Sequence, residues 1–212
     1  MNRVTFLVDG FNLYHSIEDI KKFAKADVKW LNIHALCSSY IPLFGREAVL
    51  EDVFYFSALK NYLQSRKPDS ILRHKQFISC LENTGVKVIL GRFKKKDVYC
   101  YKCHQALTKH EEKETDVSIA VKILELTFLN SADTLVIISG DTDLAPAVKT
   151  ALSHFNQKQI CFGFPFNRKN RELEKLGNHT SFVIDKNQYI KYQFPDPYIL
   201  KSGLVLHKPN TW

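Results

Sequence analysis

Residues 137–146, "IISGDTDLAP", set two carboxylates, Asp141 and Asp143, one residue apart directly after an apolar run. A turn needs one Asp to bond its own backbone and one Gly to take unusual dihedrals. Two like charges this close raise each other's pKa unless a cation lies between them. Another acid, Asp9, closes the apolar run in "FLVDGFN", and Asp116 opens the helical pattern "EKETDVSIAVKIL" beside Glu114. An acid at a helix start complements the helix dipole by about 0.3–1 kcal/mol, so each aspartate taken singly has a purely structural explanation. Converging at one edge of a basic protein, the same carboxylates repel unless a cation joins them. Oxygen ligands of this kind suit Mg2+ or Mn2+, which keep several waters and bind phosphate oxygens. The chemistry that follows is hydrolysis of a phosphodiester.

The elements that must bring these acids together alternate in type. Apolar, β-branched runs predict strands at 4–8, 53–59, 86–93, 134–139, 159–164 and 181–185. Helical spacing predicts helices from Asn12, over 30–41, over 70–85 with Gly85 closing it, over 116–129 and near 144–155. Fully apolar strands alternating with helices imply an α/β fold, a Rossmann-like three-layer sandwich with a mainly parallel sheet. Ligands of such sheets collect at the carboxyl ends of the strands. The strand at 4–8 delivers Asp9 there, and the strand at 134–139 delivers Asp141 and Asp143. On the 116–129 helix, the spacing of Val117, Ala120, Val121, Leu124 and Phe128 predicts the buried face. Residues 187–212, ending "FPDPYILKSGLVLHKPNTW", carry prolines and no helical period. They are expected as an extended tail, packed on the domain or against a partner.

At 212 residues with 45% hydrophobic content the chain can bury a full core as one domain plus an extension. Thirty Lys and Arg against 22 Asp and Glu give a net charge of +8, and the pI is near 9.2. That balance favours an anionic partner, although many basic proteins bind no nucleic acid. Arg92, Lys94, Lys95 and Lys96 cluster at the end of the 86–93 strand, and Arg168, Lys169 and Arg171 follow the 159–164 strand. They read either as solvated loops or as a cradle for backbone phosphates. Phe11, Tyr14 and the "FGFPF" aromatics (162–166) stack on unpaired bases or pack in the core, Phe166 standing beside Asn167 and Arg168. His15 and His34 fall in helical patterns with no nucleophile to serve.

Five cysteines make no disulfide framework, and no apolar run reaches the ~18 residues of a membrane span. The opening "MNRVTFLVDG" reads as a strand and not a signal peptide, so a reduced, cytoplasmic setting is expected. Cys100 and Cys103 have the Cys-x-x-Cys spacing of half a zinc site, with His104, His110 and Glu111 close behind. No second such pair exists in the chain. A structural Zn2+ completed by those residues or by a second chain is one reading, and a solvent-facing hairpin with reduced thiols is the other.

Together "FLVDGFNLY", "EKETDVSIAVKIL" and "LVIISGDTDLAPAV" make the chain resemble the LabA-like branch of the NYN domain family, within the PIN-like nuclease superfamily. The resemblance covers about residues 3 to 186, with the motifs in the family's order. It implies a PIN-like nuclease domain over 1–186, with an insert at about 94–112 carrying the cysteine pair, followed by the 187–212 tail. By position it makes Asp9, Asp116, Asp141 and Asp143 the catalytic and metal-holding acids, with Asn12 the polar residue after the first strand. Ser139 and Thr142 match hydroxyls flanking the acidic turn, on the substrate side. The implied function is a Mg2+- or Mn2+-dependent endoribonuclease acting on RNA, expected to be single-stranded, with a homo-oligomer and no membrane among the expected partners. One rival is an RNA- or protein-binding module without turnover. Another is a haloacid-dehalogenase-type phosphatase, suggested by "GDTD"; that chemistry needs Asp-x-Asp at the first strand, where this chain has "DGFN".

Overall fold

Val4 to Val8 are apolar except for Thr5, and all are buried, which places their strand at the centre of a sheet covered on both sides. In the computed structural model, which describes residues 1–102 and 104–210, this strand is β1 (Asn2–Asp9). It pairs in parallel with β2 (Ala48–Ala58) on one side and β5 (Thr134–Ile138) on the other. With β3 (Lys87–Cys100), β4 (Gln105–Lys113), β6 (Gln159–Phe164) and β7 (Phe182–Val183), the sheet runs β4-β3-β2-β1-β5-β6-β7 among the described residues. Every neighbouring pair is parallel except β3–β4.

Alternate β1 side chains serve opposite layers, as the period of a strand requires. Val4, Phe6 and Val8 join the core under α1 (Gly10–Ala24), α2 (Ile33–Ser38) and α3 (Pro68–Asn83), with Leu13, Ile17, Trp30 and Phe77. Leu7 joins the core under α4 (Thr115–Phe128), α5 (Ala145–His154) and α6 (Arg171–Leu176), with Ile123, Val148 and Leu173. The three-layer α/β sandwich is thus the expected one. The chain winds outward from β1 through β2 to β3, then returns to β5 and winds the other way. Right-handed crossovers in both halves put their helices on opposite faces. The reversal sets the carboxyl ends of β1 and β5 side by side, the edge where such sheets bind ligands.

Four local expectations change. The third strand does not stop at residue 93: β3 runs to Cys100 and pairs antiparallel with β4. Because β2 reaches only Lys87–Gly91, residues 92–113 project beyond the sheet as a two-stranded arm. Both faces of such a ribbon meet water, so its sequence carries no apolar alternation and reads as a charged loop.

Second, α4 is turned the other way. Its buried residues are Thr115, Ile119, Ile123, Leu126 and Thr127. Val117, Val121 and Phe128 are 66%, 56% and 73% exposed, while Ala120 and Leu124 are partly buried at the flank. The helix is apolar nearly all round, so two stripes share the helical period, and the isoleucine stripe is the one that meets the sheet.

Third, the 30–41 helix shrinks to α2, started by Asn32, whose side chain accepts the Ala35 N–H. Trp30 and Leu31 are buried ahead of it. Fourth, the tail is not simply extended. Asp185 caps a further helix, α7 (Lys186–Lys191), and β8 (Tyr198–Ile199) pairs with β9 (Val205–Leu206) around Gly203, whose φ of 86° suits a glycine. Phe194 is buried, its ring 5.8 Å from Trp30 and 6.5 Å from Phe77. The cap at Asp185 is the sequence signal that reading the segment as proline-rich overlooks.

Candidate metal centre

Each strand end at that edge carries its acid into a turn that uses it. Asp9 is 3% exposed. Its Oδ1 accepts the Phe11 and Asn12 N–H groups, both at 3.0 Å, and so caps α1. Its Oδ2 accepts from Ser139 Oγ at 2.8 Å. Ser139 Oγ in turn accepts the Asp141 N–H at 3.1 Å, and Asp141 Oδ1 accepts the Asp143 N–H at 3.0 Å. From the other side, Asn12 Oδ1 accepts the Gly140 N–H at 3.1 Å. The first turn of α1 and the acidic turn after β5 are thereby laced into one unit.

Two glycines permit that closeness. A Cβ on Gly140 would strike the Arg168 backbone carbonyl, and one on Gly10 would strike the Phe56 carbonyl and the Tyr55 ring. Asp116 arrives from α4, whose start is fixed by Glu112: its Oε1 accepts the Thr115 N–H at 3.0 Å and the Thr115 hydroxyl as well. Arg92 Nε reaches the Glu114 carboxylate at 2.7 Å, just ahead of the helix.

The outcome is a cluster in which one carboxylate oxygen each from Asp116, Asp141 and Asp143 lies within 4.8 Å of the others. Burial, and then the charges of Asp9, Asp141, Glu112 and Asp143, push the Asp116 carboxyl up to about 6. The charges that act on it most strongly are all carboxylates, and a cation among them would relieve the repulsion. Burial also pushes Asp9 up, with the Asp141 charge adding to it, while the bonds from Asn12, Ser139 and Phe11 pull the other way. Hard oxygen donors at this spacing, with Asp143 exposed, fit a divalent ion that keeps part of its water shell. Asp116, Asp141 and Asp143 are the residues that would hold it. Asp9 stands outside this trio, with both oxygens already bonded to neighbours.

The remaining sequence-derived site residues take varied positions. Thr142 is exposed in the acidic turn. Ser139 is buried, bridging Asp9 to Asp141, and Asn12 ties α1 to Gly140. Strand alternation puts Lys94 and Lys96 on one face of the arm and Lys95 on the other. Lys96 pairs with Glu111 at 2.9 Å and Lys95 with Asp97 at 3.5 Å, while Lys94 has no ion pair among the described residues. Arg168 is held by Asp19 at 2.7 Å, against α1. The two arm pairs are largely exposed and contribute little, roughly 0–1 kcal/mol, so they can be exchanged for phosphates, whereas the Arg168–Asp19 pair is half-buried.

Phe166 packs against the first core, and Lys29 lies over the Tyr14 ring at 5.4 Å. His110 is stacked on Tyr62. Of the cysteine pair, Cys103 lies outside the described residues. Sequence reasoning missed Glu112 and Tyr62. The first sits inside the quoted acidic motif, whereas nothing local marks the second.

The chain matches the NYN domain family over residues 3–184. In three dimensions it is similar to a protein of unknown function from Vibrio parahaemolyticus RIMD 2210633, with a TM-score of 0.55 and 16% identity. That likeness covers 88% of this chain and 94% of the other, and at such identity it speaks for the fold alone. No curated protein matches the sequence.

Proposed function

Because the chain belongs to the NYN domain family of PIN-like nucleases, we propose that it is a divalent-metal-dependent endoribonuclease of the LabA-like branch. The observation that supports this reading best is the cluster of Asp116, Asp141 and Asp143, where burial and neighbouring carboxylates raise the Asp116 carboxyl to about 6. When bound there, Mg2+ or Mn2+ supplies Lewis acidity, making water a nucleophile near neutral pH and offsetting charge that builds at phosphorus.

The chain's own residues do the rest. Asp9 caps α1 and, through Ser139, fixes Asp141, while Asn12 holds Gly140 and with it the acidic turn. The exposed Thr142 hydroxyl donates to a phosphate oxygen in this reading. Arg92, Lys95, Lys96 and Arg168 take the flanking phosphates by exchanging carboxylate partners for them, and Lys94, with no ion pair among the described residues, takes one directly. The net charge of +8 draws the polyanion in. The substrate is single-stranded RNA and the setting the reduced cytoplasm, in keeping with buried free thiols at Cys37, Cys80 and Cys161.

The test is cleavage of end-labelled single-stranded RNA with Mn2+ or with EDTA, by wild type and by Asp141→Asn. Internal cleavage that needs the ion and is lost in the variant is expected. Binding without cleavage in Mn2+ would leave the chain a binding module.

A further inference from the structure

Among the described residues, four aromatic rings gather at the carboxyl edge of the sheet without joining either core: Phe11, Tyr62, Phe93 and His110. Phe93, at the base of the arm, meets Phe11 edge-on at 6.1 Å and Tyr62 at 5.4 Å. Tyr62 and His110 are stacked face to face, 3.8 Å apart and 5° from parallel. Tyr62 keeps 37% of its surface in water, and the other three are partly exposed. The rings bracket the carboxylates. The Phe11 N–H bonds Asp9, and Phe93 lies opposite Glu112, which fixes the start of the helix carrying Asp116. Cations accompany them: Lys60 Nζ lies 6.0 Å from the Phe93 centroid, and Lys95 is cross-strand to His110 on the same face of the arm.

Packing alone does not require this arrangement. Anchoring the arm needs apolar bulk, which any aliphatic side chain supplies, whereas here flat faces stay in contact with water beside unburied ammonium groups. Exposed aromatic faces interleaved with cations are what an unstacked nucleobase and its phosphate bind to. We propose that the Phe11–Phe93–Tyr62–His110 shelf is a base-stacking subsite for an unpaired nucleobase of a single-stranded polynucleotide. Lys60 and Lys95 hold the adjoining phosphates and feed the chain toward the carboxylates. A duplex, whose bases are already stacked and paired, cannot use the shelf, so it selects for single strands. The inference rests on the nuclease reading for the polymer's chemistry, and its test is separable from cleavage.

Binding is read by fluorescence anisotropy in EDTA, on full-length protein, with labelled oligo(A) RNA and with an abasic ribose-phosphate chain of equal length. Tyr62→Leu keeps apolar bulk against Phe93 but removes the flat face, while Tyr62→Phe and Tyr62→Trp restore it. Wild type should prefer oligo(A) over the abasic chain. Tyr62→Leu should weaken oligo(A) binding by roughly 5- to 150-fold, the range of one base stacked on an aromatic ring, and leave the abasic chain unchanged. The Phe and Trp variants should bind oligo(A) like wild type. The shelf is overturned if Tyr62→Leu binds oligo(A) as wild type does, or weakens both chains equally. It is also overturned if wild type shows no base preference or binds neither chain. Mn2+-dependent cleavage is scored apart: lost base preference with cleavage retained removes the shelf alone, and base-dependent binding without cleavage removes the nuclease alone.

Discussion

Both oxygens of Asp9 are bonded inside the protein, tying the first turn of α1 through Ser139 to the acidic turn. Ser139→Ala would leave a buried carboxylate oxygen without its donor and the Asp141 N–H without its acceptor. A loss of about 1–3 kcal/mol in urea unfolding is expected, and a change no larger than that of an exposed serine would remove the bridge from the account. Asp116 gives a pH signature. Its folded pKa of about 6 lies above its ordinary value of 3.8, so between those limits the folded protein holds a proton that the unfolded chain releases. Without metal, the stability from this group is complete below 3.8 and disappears as pH rises through about 6. Metal must displace that proton, so the Mn2+-induced shift in Tm should be full above this range and shrink as pH falls through it. Asp116→Asn should lose most of the shift at every pH, and a pH-independent shift in wild type would contradict the assignment. At this scale the sequence names the four acids, and the structure brings Asp116, Asp141 and Asp143 within 4.8 Å of one another with Asp9 bonded to Ser139 beside them. The supporting roles of Asn12 and Ser139 were not readable, because each is a bond between segments that only the fold makes adjacent.

At the scale of elements, α4 shows the limit of periodicity. Two apolar stripes satisfy the helical spacing, and the choice between them is made by the sheet they meet. Ile123→Ala should cost about 2–5 kcal/mol, and Val121→Ser should stay within about 0.5 kcal/mol. The reverse ranking in urea unfolding would mean that the Val117–Val121–Phe128 face is the one buried. The strands were legible where they are covered on both faces, as at β1, β5 and β6. The arm was not, since a solvated ribbon has no core to write an alternation into its sequence.

For the whole molecule, strand–helix order was enough to give the α/β sandwich and the edge where the acids meet. The tail's contribution was not, because Phe194 acquires its role through Trp30 and Phe77, far away in sequence. Phe194→Ala should lower stability by about 3–5 kcal/mol in the same unfolding assay. The net charge of +8 belongs to this scale as well. Each phosphate neutralised on a single strand contributes about −0.7 to the slope of log affinity against log salt. Replacing Lys94, Lys95 and Lys96 by Ala in the Asp141→Asn protein should flatten that slope by roughly one to two units; partial pairing of two of them explains why the change falls short of three contacts. An unchanged slope would mean that the arm does not touch the RNA backbone.

Metal-dependent cleavage requires that Asp116, Asp141 and Asp143 share a cation. Anomalous diffraction at the manganese edge, from crystals grown with Mn2+, asks this directly. A peak is expected within coordination distance, about 2.1 Å, of carboxylate oxygens from Asp116 and at least one of Asp141 and Asp143, with water completing the shell. A peak elsewhere on the molecule, or none at the sheet's carboxyl edge at saturating Mn2+, would contradict the shared site.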